Sequence, residues 1–131
     1  MRTLIVEDDF TSRLLLQAFL SRYGECHIAI NGKEAVEAFR LSVQNGTNYD
    51  LICMDIMMPE MDGQEALKQI RALEEADGTL STSGVKVIMV TALDDVKNVF
   101  ASFKSLCDAY VFKPVDTVQL LDNLKSLSLV Q

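Results

Sequence analysis

Basic residues are in the minority in this chain: 12 Lys and Arg stand against 19 Asp and Glu, a formal charge of −7. That balance lacks the basic footprint that nucleic acid or an anionic membrane requires. Long apolar runs are also missing. None approaches the roughly 18 residues that span a bilayer, and Met1 leads straight into Arg2-Thr3-Leu4-Ile5-Val6 with no signal-peptide pattern. Cysteine occurs three times, as Cys26, Cys53 and Cys107, without CxxC or metal-ligand spacing. An odd, unpatterned set reads as reduced thiols in a cytoplasmic protein rather than a disulfide framework. The single histidine, His27, lies in an apolar stretch and reads as an exposed strand residue, with nothing nearby to suggest a phosphoryl acceptor. At 131 residues and 49% hydrophobic content, the chain suits one domain with one core and leaves no room for an effector domain.

What is present is a set of short apolar runs that end in chemistry. Leu4-Ile5-Val6 ends in Glu7-Asp8-Asp9, Leu51-Ile52-Cys53-Met54 in Asp55, Val87-Ile88-Met89-Val90 in Thr91, and Ala109-Tyr110-Val111-Phe112 in Lys113-Pro114. If these are adjacent parallel strands, acids, a hydroxyl and an ammonium converge on one sheet edge. Carboxylates about 4 Å apart repel by roughly 4 kcal/mol per pair at an effective dielectric of 20, so a cation must join them. The hard oxygen donors select Mg²⁺, or Mn²⁺, over zinc or copper, and Mg²⁺ favours phosphate oxygens as further ligands. Asp55 then suits the role of nucleophile toward a phosphoryl group, with Lys113 and Thr91 stabilising charge on the equatorial oxygens.

These segments carry a resemblance. Val6-Glu7-Asp8-Asp9, Met54-Asp55-Ile56-Met57-Met58-Pro59-Glu60-Met61-Asp62-Gly63, Val90-Thr91-Ala92 and Tyr110-Val111-Phe112-Lys113-Pro114 occur in the order seen in receiver domains of two-component response regulators, and the chain resembles the CheY-like single-domain type over its whole length. The resemblance implies Asp55 as phosphoacceptor, Asp8 and Asp55 as direct Mg²⁺ ligands, Glu7 acting through water, and the Met57 backbone carbonyl as a further ligand. It also implies Thr91 and Lys113 as phosphoryl contacts, and Thr91 and Tyr110 as the switch. Asp9 matches a variable position and stays outside the site. The phosphoryl donor would be a sensor histidine kinase or a histidine phosphotransfer protein. The output would be contact with a downstream protein through the face made by the fourth helix, fifth strand and fifth helix, with Phe100, Phe103 and Lys104 as contact candidates. The implied protein is no enzyme beyond catalysing its own phosphorylation and slow dephosphorylation.

Periodicity predicts five βα units: strands over 3–6, 26–30, 50–54, 85–90 and 109–112, and helices over 11–22, from Asn31-Gly32 to Asn45-Gly46, 62–75, 95–106 and 116–127. Residues 77–84 read as a polar surface loop. Near-continuous apolar strands imply a parallel sheet covered on both faces, so the fold class is α/β, doubly wound. The strand order 2-1-3-4-5 follows from the resemblance, CheY being a standard example of that order. Sheets of this kind bind ligands beyond the strands' carboxyl ends, near the switch point, here between the first and third strands where Asp8 and Asp55 stand.

Plainer readings compete. Asp9 and Asp62 suit helix caps, Thr91 could cap a helix, Lys113 could be a surface lysine before a constrained Lys-Pro turn, and Tyr110 could be a static edge-strand aromatic. Met54, Met57, Met58 and Met61 suit core and loop packing. Met57 and Leu93, two residues beyond Asp55 and Thr91, flank the path of attacking water in receivers; neither can orient water, so a long-lived acyl phosphate is expected. Three other functions are weighed. A haloacid-dehalogenase-type phosphatase needs an Asp where Met57 stands. A flavodoxin-like carrier needs a phosphate cradle where Glu7-Asp8-Asp9 stand. A phosphorylation-independent binding module, or a fragment of a larger regulator, would keep the same fold.

Overall fold

The computed structural model describes residues 1–58, 60–79, 84–92 and 106–131. Five strands form one parallel sheet in the order β2-β1-β3-β4-β5. They are β1 (Thr3–Val6), β2 (Cys26–Ala29), β3 (Leu51–Asp55), β4 (Lys86–Thr91) and β5 (Ala109–Phe112). Four helices are described: α1 (Phe10–Leu20), α2 (Gly32–Asn45), α3 (Gly63–Ala76) and α4 (Thr117–Ser126). A short 3-10 turn, Ser21–Tyr23, takes the place of the last turn predicted for the first helix. The helix predicted over 95–106, with Phe100, Phe103 and Lys104, falls outside the described residues, apart from Leu106.

The sheet is doubly wound because its strands present apolar side chains on both faces. Leu4, Val6, Ile52, Met54, Val87 and Met89 pack with Ala35 and Phe39 of α2 and Ala66, Leu67 and Ile70 of α3. The alternate residues Ile5, Cys53, Ile88, Val90 and Val111 pack with Leu16, Phe19 and Leu20 of α1 and Leu120 and Leu124 of α4. Every residue of β1 and β3 is buried, which is why those runs read as continuous rather than alternating. Each described helix opens on a side-chain cap: Asp9, Asn31, Asp62 and Asp116 accept from the first-turn backbone N–H groups, a contribution of about 1 kcal/mol each. Asp9 and Asp62 therefore serve as the caps their plainer reading suggested.

Two local expectations change. Met57 is 57% exposed rather than packed. His27 is half-buried: its Nδ1 meets the Tyr49 hydroxyl at 2.7 Å and its Nε2 the Glu25 carboxylate at 2.9 Å, tying the edge strand to the start of β3. Leu15 sits on the rim of α1, while Leu16, Phe19 and Leu20 carry its buried face. At the sheet's amino end, Arg71 of α3 makes a node that periodicity does not reveal. Its Nε donates to the Leu106 carbonyl at 3.0 Å, its Nη1 to the Val85 carbonyl at 2.9 Å and to Glu74 at 2.6 Å, and its Nη2 reaches Asp108 at 3.3 Å. Glu74 and Asp108 in turn accept the Val85 and Val87 N–H groups, so this node aligns β4 with the entry to β5.

Candidate functional site

The β1–β3 ladder ends at Val6 opposite Met54, so the chain leaves β1 as Glu7 and β3 as Asp55 side by side. Both carboxylates are taken out of water: Glu7 is 0% exposed and Asp55 5%. Asp8, the next residue on the β1 side, is exposed. One oxygen from each of Glu7, Asp8 and Asp55 lies within 4.8 Å of the others.

Lys113, just past β5, closes the group. Its Nζ stands 3.0 Å from Glu7 Oε1 and 3.0 Å from Asp55 Oδ2. The peptide bond that follows it, to Pro114, is cis, and the Lys113 backbone N–H donates to the Thr91 carbonyl at 2.8 Å, anchoring the turn to the end of β4. Burial alone would depress the ammonium's pKa, but hydrogen bonds to Asp55 and Glu7 and their charges more than offset it and raise the value. Glu7 moves upward as well, to about 7, because burial and then the Asp55 charge disfavour its ionised form against the pull of Lys113 and the Asp9 N–H. One ammonium thus bridges two of the three clustered carboxylates, which leaves an excess of negative charge.

The donor set fits a divalent cation of the hard class. Glu7 Oε2 is buried with no hydrogen-bond partner among the described residues, although a carboxylate oxygen out of water needs one. An octahedral ion with oxygen ligands at about 2.0–2.1 Å spans about 4.2 Å between opposite oxygens. One oxygen from each of the three carboxylates lies within 4.8 Å of the others, so side-chain adjustment alone could gather them round one such ion.

Two glycines shape the loop after β3, and sequence reasoning assigned them no role. A Cβ on Gly63 would lie 2.3 Å from the Asp55 carbonyl oxygen, and one on Gly32 would lie 2.3 Å from the Met61 carbonyl oxygen. Their N–H groups donate to the Ile56 carbonyl at 2.8 Å and to the Met61 carbonyl at 3.0 Å. These two backbone contacts hold the loop from two sides. The signal available for Gly63 was its place after a capping Asp in the loop that follows the nucleophile candidate. Met57 contributes its N–H, which donates to Asp55 Oδ1 at 3.2 Å, while its side chain faces solvent.

The remaining predicted residues sit further out. Thr91 is fully buried as the last residue of β4, in register with Phe112, and its hydroxyl donates to the Ala92 carbonyl at 3.4 Å. It ends the strand, and the helix predicted after it, which the plainer reading would have it cap, lies outside the described residues. Tyr110 lies on the edge strand β5, packed against the α2–α3 side of the core, with its hydroxyl buried. Pro59 and Leu93 fall outside the described residues. Among the described residues, no helix is long and apolar enough to cross a membrane.

Comparison with known proteins agrees with this geometry. The model of the response regulator receiver domain family matches residues 3–125. The transcriptional regulatory protein SrrA of Staphylococcus aureus is 34% identical over 125 residues, which cover 95% of this chain and 46% of SrrA. The chain spans about half the length of that curated relative. Among solved structures, the complex of the Saccharomyces cerevisiae histidine phosphotransfer protein Ypd1 with the receiver domain of Ssk1 matches with a TM-score of 0.79 and 30% identity, covering 97% of this chain and 88% of that one. A CheY-like receiver domain protein from Methanospirillum hungatei matches with a TM-score of 0.75 and 29% identity over 95% and 90% of the two chains. The receiver domain of the Arabidopsis thaliana histidine kinase CKI1, solved with Mg²⁺ and BeF₃⁻, matches with a TM-score of 0.76 and 26% identity over 98% and 90%.

Proposed function

The chain belongs to the response regulator receiver domain family, and from that premise we propose that Asp55 is the phosphoacceptor of a phosphorelay whose donor is a phosphohistidine. The observation that carries this reading is the Lys113 ammonium, 3.0 Å from both the Asp55 and Glu7 carboxylates at the mouth of the sheet. An oxygen of Asp55 bonds to phosphorus while the P–N bond breaks and its electron pair returns to the imidazole. The other ring nitrogen already carries the proton, so the imidazole leaves neutral and an acyl phosphate remains. Glu7, Asp8, Asp55 and the Met57 carbonyl would hold Mg²⁺, with Mn²⁺ as a substitute. When bound, that ion supplies positive charge to the transferring oxygens.

The residues of the chain do the rest. Lys113 leaves its bridge to Asp55 Oδ2 and pairs with a phosphoryl oxygen. Thr91 turns its hydroxyl from Ala92 toward the same group. A phosphoryl group brings about two negative charges and three acceptor oxygens, so both contacts gain strength once it arrives. Withdrawal of Thr91 and a rotamer change at Tyr110 would then shift the population of the face that includes β5 and α4.

The donor's docking site is the rim around Asp55. Phe10 is 66% exposed, Leu14 55%, Met57 57% and Val118 67%, and these side chains come from α1, the loop after β3 and the first turn of α4. We assign the donor as a histidine phosphotransfer protein or a sensor histidine kinase in the cytoplasm. The output is contact with a downstream protein. Catalysis is confined to self-phosphorylation and slow self-dephosphorylation.

The test is an amide NMR spectrum with Mg²⁺, before and after beryllofluoride, beside the same titration of Asp55→Asn. Shifts that start at Asp55, Thr91 and Lys113, reach Tyr110 and α4, and vanish in the variant are expected. A silent native protein would leave a receiver fold that works without phosphorylation.

A further inference from the structure

Glu7 and Asp8 are consecutive, yet one carboxylate is in the core and the other in solvent. Whether both can meet one ion depends on the peptide plane between them. That plane lies one step past the last β1–β3 pair, where sheet register no longer sets it. The Glu7 N–H still donates to the Ala29 carbonyl at 3.0 Å, but the Glu7 carbonyl accepts from a side chain, Arg13 Nη1, at 3.2 Å. Arg13 is itself placed by the helix start: its N–H donates to the Asp9 carbonyl at 2.9 Å, and Asp9 caps α1. The Asp9 N–H meanwhile donates to Glu7 Oε1 at 3.1 Å. Glu7 is thus gripped at its backbone oxygen and at its carboxylate.

The guanidinium carbon of Arg13 also lies 5.5 Å from the centroid of the Phe10 ring, a cation–π distance. Phe10 is 66% exposed and acts as the platform that holds Arg13 over the loop.

We infer that Arg13 is a positioning residue for the cation site, setting the Glu7–Asp8 peptide so that both carboxylates aim at one ion. The inference rests on the reading of Glu7, Asp8 and Asp55 as the Mg²⁺ site. It makes a prediction of unusual sign. A positive charge beside a cation site repels the cation, so a guanidinium acting only through charge would weaken Mg²⁺ binding, and its removal would tighten it. A guanidinium acting through position does the reverse.

The experiment is a Mg²⁺ titration followed by amide NMR on the native protein, Arg13→Met, Arg13→Lys and Phe10→Ala, with urea unfolding of each. Arg13→Met is expected to weaken Mg²⁺ about three- to tenfold, the factor one net hydrogen bond is worth. Amide shifts at Asp8 and Asp9 should already differ without the ion. Arg13→Lys retains the charge and so isolates geometry; a loss of about twofold is expected there. Phe10→Ala should weaken binding in the same direction and by less. Should Arg13→Met fail to fold, the Arg13→Lys result decides. Unchanged or tighter Mg²⁺ binding in a folded Arg13 variant overturns the positioning role while leaving the receiver reading intact. Absence of saturable Mg²⁺ binding in the native protein overturns both.

Discussion

Asp55→Asn should abolish phosphoryl acceptance and at the same time make the ion-free protein more stable. The Asp55 carboxylate is 5% exposed. At 3.0 Å from Lys113 Nζ it gains about 5.5 kcal/mol at an effective dielectric of 20. Against this stand repulsion from Glu7, about 3.5 kcal/mol at the 4.8 Å limit of the cluster, and a desolvation cost of several kcal/mol for a buried ion. The balance is a net penalty of about 1 to 3 kcal/mol. The amide introduced at position 55 removes the charge and supplies an N–H group beside the Glu7 carboxylate. Urea unfolding at pH 8 in EDTA should therefore place the variant about 1 to 3 kcal/mol above the native protein. Adding Mg²⁺ at about 100 times its Kd should raise the native protein by about 2.7 kcal/mol and the variant by much less. A variant less stable than the native protein in EDTA would refute the reasoning, because it would mean that Lys113 more than compensates the buried charge.

Four further outcomes follow from the same geometry. The Glu7 carboxyl has a folded pKa of about 7 against an ordinary 4.5, so the folded state holds its proton longer than the unfolded chain and ion-free stability should fall as pH rises from about 4.5 to about 7; Glu7→Gln should flatten that slope in denaturant titrations. Gly63→Ala places a Cβ 2.3 Å from the Asp55 carbonyl oxygen; it should cost at least about 2 kcal/mol in urea unfolding and displace the Asp55 and Ile56 amide resonances. Arg71→Met leaves Glu74, 7% exposed, without its guanidinium partner, and a loss of about 3 kcal/mol is expected by calorimetry. Met57→Asn puts a water-orienting amide at the rim of the site; loss of the acyl phosphate, followed by ³¹P NMR, should speed up, and an unchanged rate would remove Met57 as the cause of a long-lived signal.

Much of this architecture was legible as punctuation. Apolar strands ending in Glu7, Asp55, Thr91 and Lys113 name their own carboxyl ends, and period and caps placed the described elements within a few residues, because strand burial and helix capping are local in sequence. The grouping of those four strand ends required a sheet order, which periodicity lacks; it came from the motif resemblance, and the register then set Glu7 beside Asp55. Arg13, Arg71 and Gly32 were silent in the sequence. Arg13 and Arg71 look like ordinary helix-surface cations until the fold brings backbone carbonyls to them, and Gly32 looks like a turn residue until Met61 packs against it. The chemistry on offer was settled by the order of residues alone, since the side chain that ends each strand is a covalent fact. Which carboxylates share one ammonium, which oxygen is left without a partner and which backbone each cation holds were settled by folding, because they depend on distances between segments up to 106 residues apart in the chain.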